Sequence, residues 1–205
     1  VAWLVFVPEA RQKAEVALLE WLTRRAISET AMELDPAGKD RATARELSTL
    51  PPAQAAIAQS LAGTYRVAPE PVAALVHEAY MIGPPLGLAP NLILAVAAVE
   101  SNFHPYIQSQ AGAQGLMQIM TRVHNQRLKD EGGTLAVFDP VVNLRVGAKI
   151  LRDCVRLMGG STEAGLRFYL GGGNTSTDAG DGYVQKVLGI QRGLDEIGAA
   201  KGLKR

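Results

Sequence analysis

The stretch "ILAVAAVESNF", residues 93–103, decides the fold. Seven consecutive apolar residues, Ile93 to Val99, run directly into Glu100. They follow Pro90, which suits the first position of a helix because the N–H that proline lacks is one the helix leaves unbonded there. The apolar residues from Leu92 to Val99 are not confined to one face, so the spacing predicts a helix buried nearly all round. Glu100 then sits near the end of a buried helix. An ionised glutamate against apolar surroundings is costly, so its placement calls either for emergence into solvent or for a carboxyl group that holds a proton.

Further helices are predicted on both sides. Upstream, Val16, Leu19, Leu22 and Ala26 fall broadly along one face of an amphipathic stretch from Glu9 to about Leu34. After "DPAGKD" and Pro51-Pro52 a second helix runs to about Thr64. A third begins near Pro69, with Val72, Leu75, Val76 and Ala79 in the i, i+3, i+4, i+7 pattern and "GPPLG" marking its end. Downstream, Asp139 and Pro140 supply a capping side chain and a first-turn proline. Leu144, Ala148, Leu151, Val155 and Met158 then recur as one stripe, stopped by Gly159-Gly160. Two more helices are expected around Thr162 to Leu170 and from Tyr183 to Ile197, separated by the glycine-rich "GGGNTSTDAGDG". No long alternating segment points to a substantial sheet, so the fold class is mainly α.

A chain of 205 residues, 47% hydrophobic and 20% charged, is long and apolar enough for one cored domain, with or without a helical appendage. Its net charge of +1 argues against a nucleic-acid binder, which needs a basic stripe for phosphates. The basic tail, 198–205, ending in "KGLKR", reads as a solvated terminus. The single cysteine, Cys154, permits no intramolecular disulfide and identifies no compartment. It reads as a small core residue. Residues 1–7, "VAWLVFV", are too few to span a bilayer. Two readings of that run stand side by side, the remnant of a longer export or anchor segment and an ordinary packed or exposed terminus.

Several chemistries lack their signatures. His77, His104 and His124 show neither HExxH spacing nor a neighbouring cysteine cluster, so no metal site and no cofactor are expected. "GGGN" lacks the lysine and the preceding strand of a phosphate-cradling loop, and no GxSxG nucleophile elbow occurs.

The block "ESNFHPYIQSQAGAQGLMQIM", residues 100–120, resembles the catalytic core of soluble lytic transglycosylases, a family related in fold to goose-type lysozyme. Glu100, Ser101, Phe103, Pro105, Ser109, Gly112, Ala113, Gly115, Leu116, Met117 and Gln118 match its motif. The resemblance extends through "FDPVVNLRVGAKIL" and "YVQKVL" and covers about residues 86–197. Residues 1–85 would form an N-terminal helical extension. In this family the glutamate is the sole catalytic carboxylate, and apolar burial, by raising a glutamate's pKa, suits it to donate a proton near neutral pH.

The resemblance implies a course in which Glu100 protonates the glycosidic oxygen between N-acetylmuramic acid and N-acetylglucosamine. As carboxylate it then takes a proton from the sugar's own C6 hydroxyl, which closes onto C1 and leaves a 1,6-anhydro end. Glycosidases commonly use two carboxylates, and the motif offers no second one. By position, Ser109 would bond near the glutamate or sugar, Met117 and Gln118 would line the saccharide groove, Tyr183 would reach the carboxyl, and Tyr169 and Asn143 would support glycan binding. For each a plainer role exists: Ser109 capping a turn, Met117 filling core, Tyr183 anchoring a helix.

Two positions depart from the family pattern. "YLGG" keeps Tyr169 but puts Leu170 where many members carry asparagine, which bears on saccharide binding. Thr121 stands where a proline usually follows. A peptidoglycan substrate implies a periplasmic location or a membrane tether supplied by sequence before residue 1. Two rivals remain. One is a hydrolytic muramidase using Asp178 or Asp181 to activate water. The other is a catalytically weak saccharide-binding or assembly module whose N-terminal helices dock a partner such as a secretion apparatus.

Overall fold

The computed structural model describes residues 44–171 and 177–202. The helix expected over Glu9 to Leu34, and residues 1–7, lie outside them. The described residues belong to one compact unit.

Three helices open in the same way. α1 (Pro52–Tyr65), α2 (Pro69–Leu86) and α3 (Pro90–Ser101) each begin on a proline. Each ends on a left-handed residue, Arg66, Gly87 or Asn102, whose N–H bonds back to the carbonyl of Ala62, Gly83 or Ala98. α2 closes inside "GPPLG" as expected, although Pro84 and Pro85 are still helical and Gly87 (φ 69°) makes the stop. A short antiparallel pair follows, β1 (Ala113–Gln114) with β2 (Ile119–Met120), Ala113 opposite Met120. It is the one sheet among the described residues.

Next come α4 (Thr121–Lys129), a 3-10 turn over Thr134–Phe138, α5 (Pro140–Leu157), α6 (Thr162–Gly171) and α7 (Thr177–Gly202). Asp139 caps α5 as its sequence predicted, its carboxylate accepting from the N–H groups of Val141 and Val142 at 2.9 and 3.0 Å.

α3 is the hub of the fold. It packs against α2, α5 and α7, and Ile93 through Ala98 are each at most 1% exposed. Burying each large aliphatic side chain contributes about 1.5–3 kcal/mol, so this helix is held by its surroundings on every side. α1 packs on α2 and α7, α5 on α2 and α6, and α6 on α7. Ile57, Leu61, Val72 and Val76 from α1 and α2 belong to the same hydrophobic cluster as α3 to α7. The expected division at residue 85 is therefore not a break in packing: α1 and α2 are part of the body that holds α3.

Two elements differ from the sequence expectation. α7 begins at Thr177 and ends at Gly202, beyond the expected Tyr183 to Ile197 at both ends. Its glycines and aspartates read as loop, but packing against α1, α3 and α6 overrides weak local propensity. α4, which was not foreseen, is short and mostly polar, buries only Leu128 fully and kinks at His124 (φ −107°, ψ 20°).

Candidate active site

Glu100 occupies the last turn of α3, and the chain leaves that helix by an unusual route. Asn102 and Phe103 both have positive φ, 51° and 63°, a conformation that costs a non-glycine residue about 1–2 kcal/mol. Burial offsets this: Phe103 is 3% exposed and its ring meets that of Tyr65 at 5.4 Å. The Ser101 hydroxyl donates to the Ala97 carbonyl at 2.9 Å, so this motif serine serves the helix.

The carboxyl of Glu100 is partly buried, and Tyr183 of α7 donates to its Oε1 at 2.6 Å. This is the one hydrogen bond to that carboxyl among the described residues. Burial pushes the Glu100 pKa up, and the tyrosine bond, which favours the carboxylate, offsets part of the rise. No second carboxylate contributes to the shift. Asp181, a candidate water activator, is instead paired with Arg167 at 2.7 Å, and Asp178 is exposed in the first turn of α7. Burial and the Glu100 charge both push the Tyr183 phenol far up, so it remains a proton donor to Glu100 throughout the physiological range.

The loop after Glu100 is folded by its own polar groups. The Ser109 hydroxyl accepts from the Ala113 N–H at 3.0 Å, while the Ser109 N–H donates to the Ala113 carbonyl at 2.9 Å. That is the turn-capping role. Gln118 is partly exposed, and its Nε2 donates to the carbonyls of Gly115 and Ile107 at 3.0 and 3.2 Å. Gly115 has φ +78°, and a Cβ there would lie 2.1 Å from Asn143 Nδ2, so the position admits glycine alone without rearrangement.

Asn143 and Met117 depart from their expected contact with saccharide. Asn143 is fully buried and spends its amide on the protein: Oδ1 accepts from the Met117 N–H at 2.8 Å, and Nδ2 donates to the Val137 and Gln114 carbonyls at 2.8 and 3.1 Å. The Met117 side chain is also fully buried, against Gly147, where a Cβ would lie 2.5 Å from its sulfur. Its carbonyl accepts from the Tyr169 hydroxyl at 2.7 Å. Burial, followed by the Glu100 charge, raises the Tyr169 pKa well above its ordinary value, which places Tyr169 within electrostatic reach of Glu100. Glu100 and Tyr183 are thus brought together, Tyr169 is tied to the Met117 backbone, Ser109 and Gln118 shape the loop that follows Glu100 in the chain, and Asn143 holds that loop through the Met117 N–H and the Gln114 carbonyl. Leu170 is exposed, next to Tyr169 in the chain.

Residues 85–186 match the family model described as the transglycosylase SLT domain. This region is an SLT domain. A type IV secretion system protein virB1 from Brucella abortus is 30% identical over 137 residues, covering 49% of this chain and 58% of that protein. A membrane-bound lytic murein transglycosylase C from Yersinia pestis is 33% identical over 109 residues, covering 50% of this chain and 30% of that protein. The chain therefore spans less than two thirds of these relatives. Among solved structures, an inactive E503Q mutant of the lytic transglycosylase Slt from Pseudomonas aeruginosa superposes with a TM-score of 0.51 at 25% identity, over 60% of this chain and 23% of that one. The 70 kDa soluble lytic transglycosylase of Escherichia coli shares the fold, with a TM-score of 0.51 at 20% identity over 67% of this chain and 29% of that one. Around the SLT domain, no helix among the described residues is long and apolar enough to cross a membrane. Nor do those residues gather three or more His, Cys, Asp or Glu side chains in a group that could hold a metal ion.

Proposed function

We propose that this SLT domain cleaves the glycan strands of peptidoglycan without consuming water, with Glu100 as the single acid and base. The observation that carries this is the Glu100 carboxyl itself: raised in pKa by burial, held at one oxygen by Tyr183, and perturbed by no other carboxylate. A protonated Glu100 donates to the oxygen between N-acetylmuramic acid and N-acetylglucosamine, and the C1–O bond breaks. The resulting carboxylate accepts the proton of the muramic C6 hydroxyl as that oxygen bonds to C1. Glu100 ends protonated, and the products are a 1,6-anhydromuramic end and a free N-acetylglucosamine end. The 2-acetamido group of the sugar assists at C1, where the transition state carries positive charge.

Asp181, engaged by Arg167, lends no support to a second carboxylate in the reaction. Ser109 and Gln118 keep the loop beside Glu100 in shape, and Gln118 and Tyr169 are the polar side chains proposed to border the glycan. The likeness to a protein named for a type IV secretion system supports work at the cell envelope, where a local opening in the wall would serve an assembly. The substrate places that work in the periplasm or on a membrane facing it. Digestion of purified sacculi in 18O-labelled water tests the reading. Anhydromuropeptides free of label are expected, whereas labelled reducing ends would identify a hydrolase and overturn it.

A further inference from the structure

Glu100 and Tyr183 lie on different helices, so their bond depends on how α3 and α7 are placed along each other. α7 contains six glycines, and an added Cβ at Gly182 or Gly193 would meet open space, so these positions do not key it against its neighbours. Its buried side chains are chiefly Tyr183, Val184, Val187 and Leu194. One turn of slippage along α3 would move the tyrosine by about 5.4 Å.

At the far end of the same helix pair sits a polar group that the proposed reaction does not use. Asn91, in the first turn of α3, is 6% exposed. Its Nδ2 donates to Asp195 Oδ1 on α7 at 2.7 Å, and its Oδ1 accepts from the Tyr80 hydroxyl on α2 at 3.3 Å. A buried amide is costly unless bonded, so these partners specify its position. The two helices run antiparallel, with Asn91 meeting Asp195 at one end and Glu100 meeting Tyr183 at the other. Glu100 lies nine positions beyond Asn91 along α3, about two and a half turns, so the two bonds tie α7 to α3 at well-separated points. Such a pair resists sliding.

We propose that Asn91, held by Tyr80 and Asp195, is a positioning residue that sets the register of α7 on α3 and thereby delivers the Tyr183 hydroxyl to Glu100. The inference rests on Glu100 as the reacting carboxyl, but its geometry can be tested without turnover. Asp195 is mostly exposed, so its substitution leaves the core intact. The probe is the titration of the Glu100 side-chain carboxyl, followed by 13C NMR in the whole chain. The titratable groups in contact with or sensing that carboxyl are Tyr183 from α7 and Tyr169 from α6.

Tyr183→Phe removes a bond that favours the carboxylate, so Glu100 should titrate at higher pH than in the wild type. Asp195→Ala should shift it in the same direction, Asp195→Asn, which keeps an acceptor, should restore the wild-type value, and adding Asp195→Ala to Tyr183→Phe should move it no further. Loss of the Asp195 charge alone would act in the opposite direction, which separates register from charge. In turnover, Asp195→Ala should lower kcat roughly tenfold with little change in KM, as small misplacement of a reacting group does. A Glu100 titration unmoved by Asp195→Ala, or unmoved by Tyr183→Phe, would overturn the proposal, as would shifts that simply add. An inactive wild type in which the titrations behave as expected would overturn the proposed reaction and leave the register lock standing.

Discussion

Replacing Asn143 by leucine removes three hydrogen bonds at nearly constant volume. The Met117 N–H and the Val137 carbonyl lose their partner in a fully buried site, and the Gln114 carbonyl loses it in a half-buried one. An orphaned buried group costs about 1–3 kcal/mol, less where water can enter, so the three together come to on the order of 4 kcal/mol. That is a large part of the ~5–15 kcal/mol that holds a domain folded. For a domain of this size Tm should fall on the order of 10 °C, at about 2–4 °C per kcal/mol. Urea unfolding followed by circular dichroism, extrapolated to water, measures the loss directly. A loss below about 1 kcal/mol would mean that water serves these groups, and that Asn143 is not what fixes the loop beside Glu100.

The same loop gives a second test. Gly115→Ala forces a Cβ to within 2.6 Å of the Val137 carbonyl and onto the Asn143 amide, at φ +78°, so it should destabilise by several kcal/mol, and its effect should not add to that of Asn143→Leu. Tyr169→Phe loses the 2.7 Å bond to the Met117 carbonyl and should cost about 1 kcal/mol in the same unfolding assay. Glu100 gives a pH prediction of definite sign. Its folded pKa is raised, so between the ordinary glutamate value and the raised one the native state holds more protons, and stability falls as pH rises. Glu100→Gln escapes that penalty and should melt above the wild type at neutral pH, the difference closing below the ordinary glutamate range; a constant difference in Tm across pH would contradict it.

The centre of this fold was legible because one stretch carries two signals at once. Apolar residues on every face of Leu92 to Val99 fit a helix with neighbours all round, and the structure surrounds α3 with α2, α5 and α7. Asp139-Pro140 and the stripe from Leu144 likewise foretold α5, because capping and periodicity are local properties. Where long-range packing decides, local signals fell short. The glycines and aspartates from Thr177 to Gly182 read as loop yet extend α7, and α4 shows too little apolar pattern to announce itself. At the site, the motif pointed to residues but not to which atoms they use. Met117 contributes its backbone carbonyl rather than its thioether, and Asn143 faces the protein rather than a groove. The Asn91–Asp195 bond joins positions 104 residues apart, and no spacing rule connects them.

The central claim is that one buried carboxyl group performs both proton transfers. Its most direct test is to incubate purified sacculi with the wild-type chain and with Glu100→Gln, comparing released muropeptides by mass spectrometry and retained protein by sedimentation. The amide keeps the shape of the glutamate but cannot relay a proton, so the account predicts anhydromuropeptides from the wild type alone, with both chains binding the sacculus. Undiminished release by Glu100→Gln would contradict it.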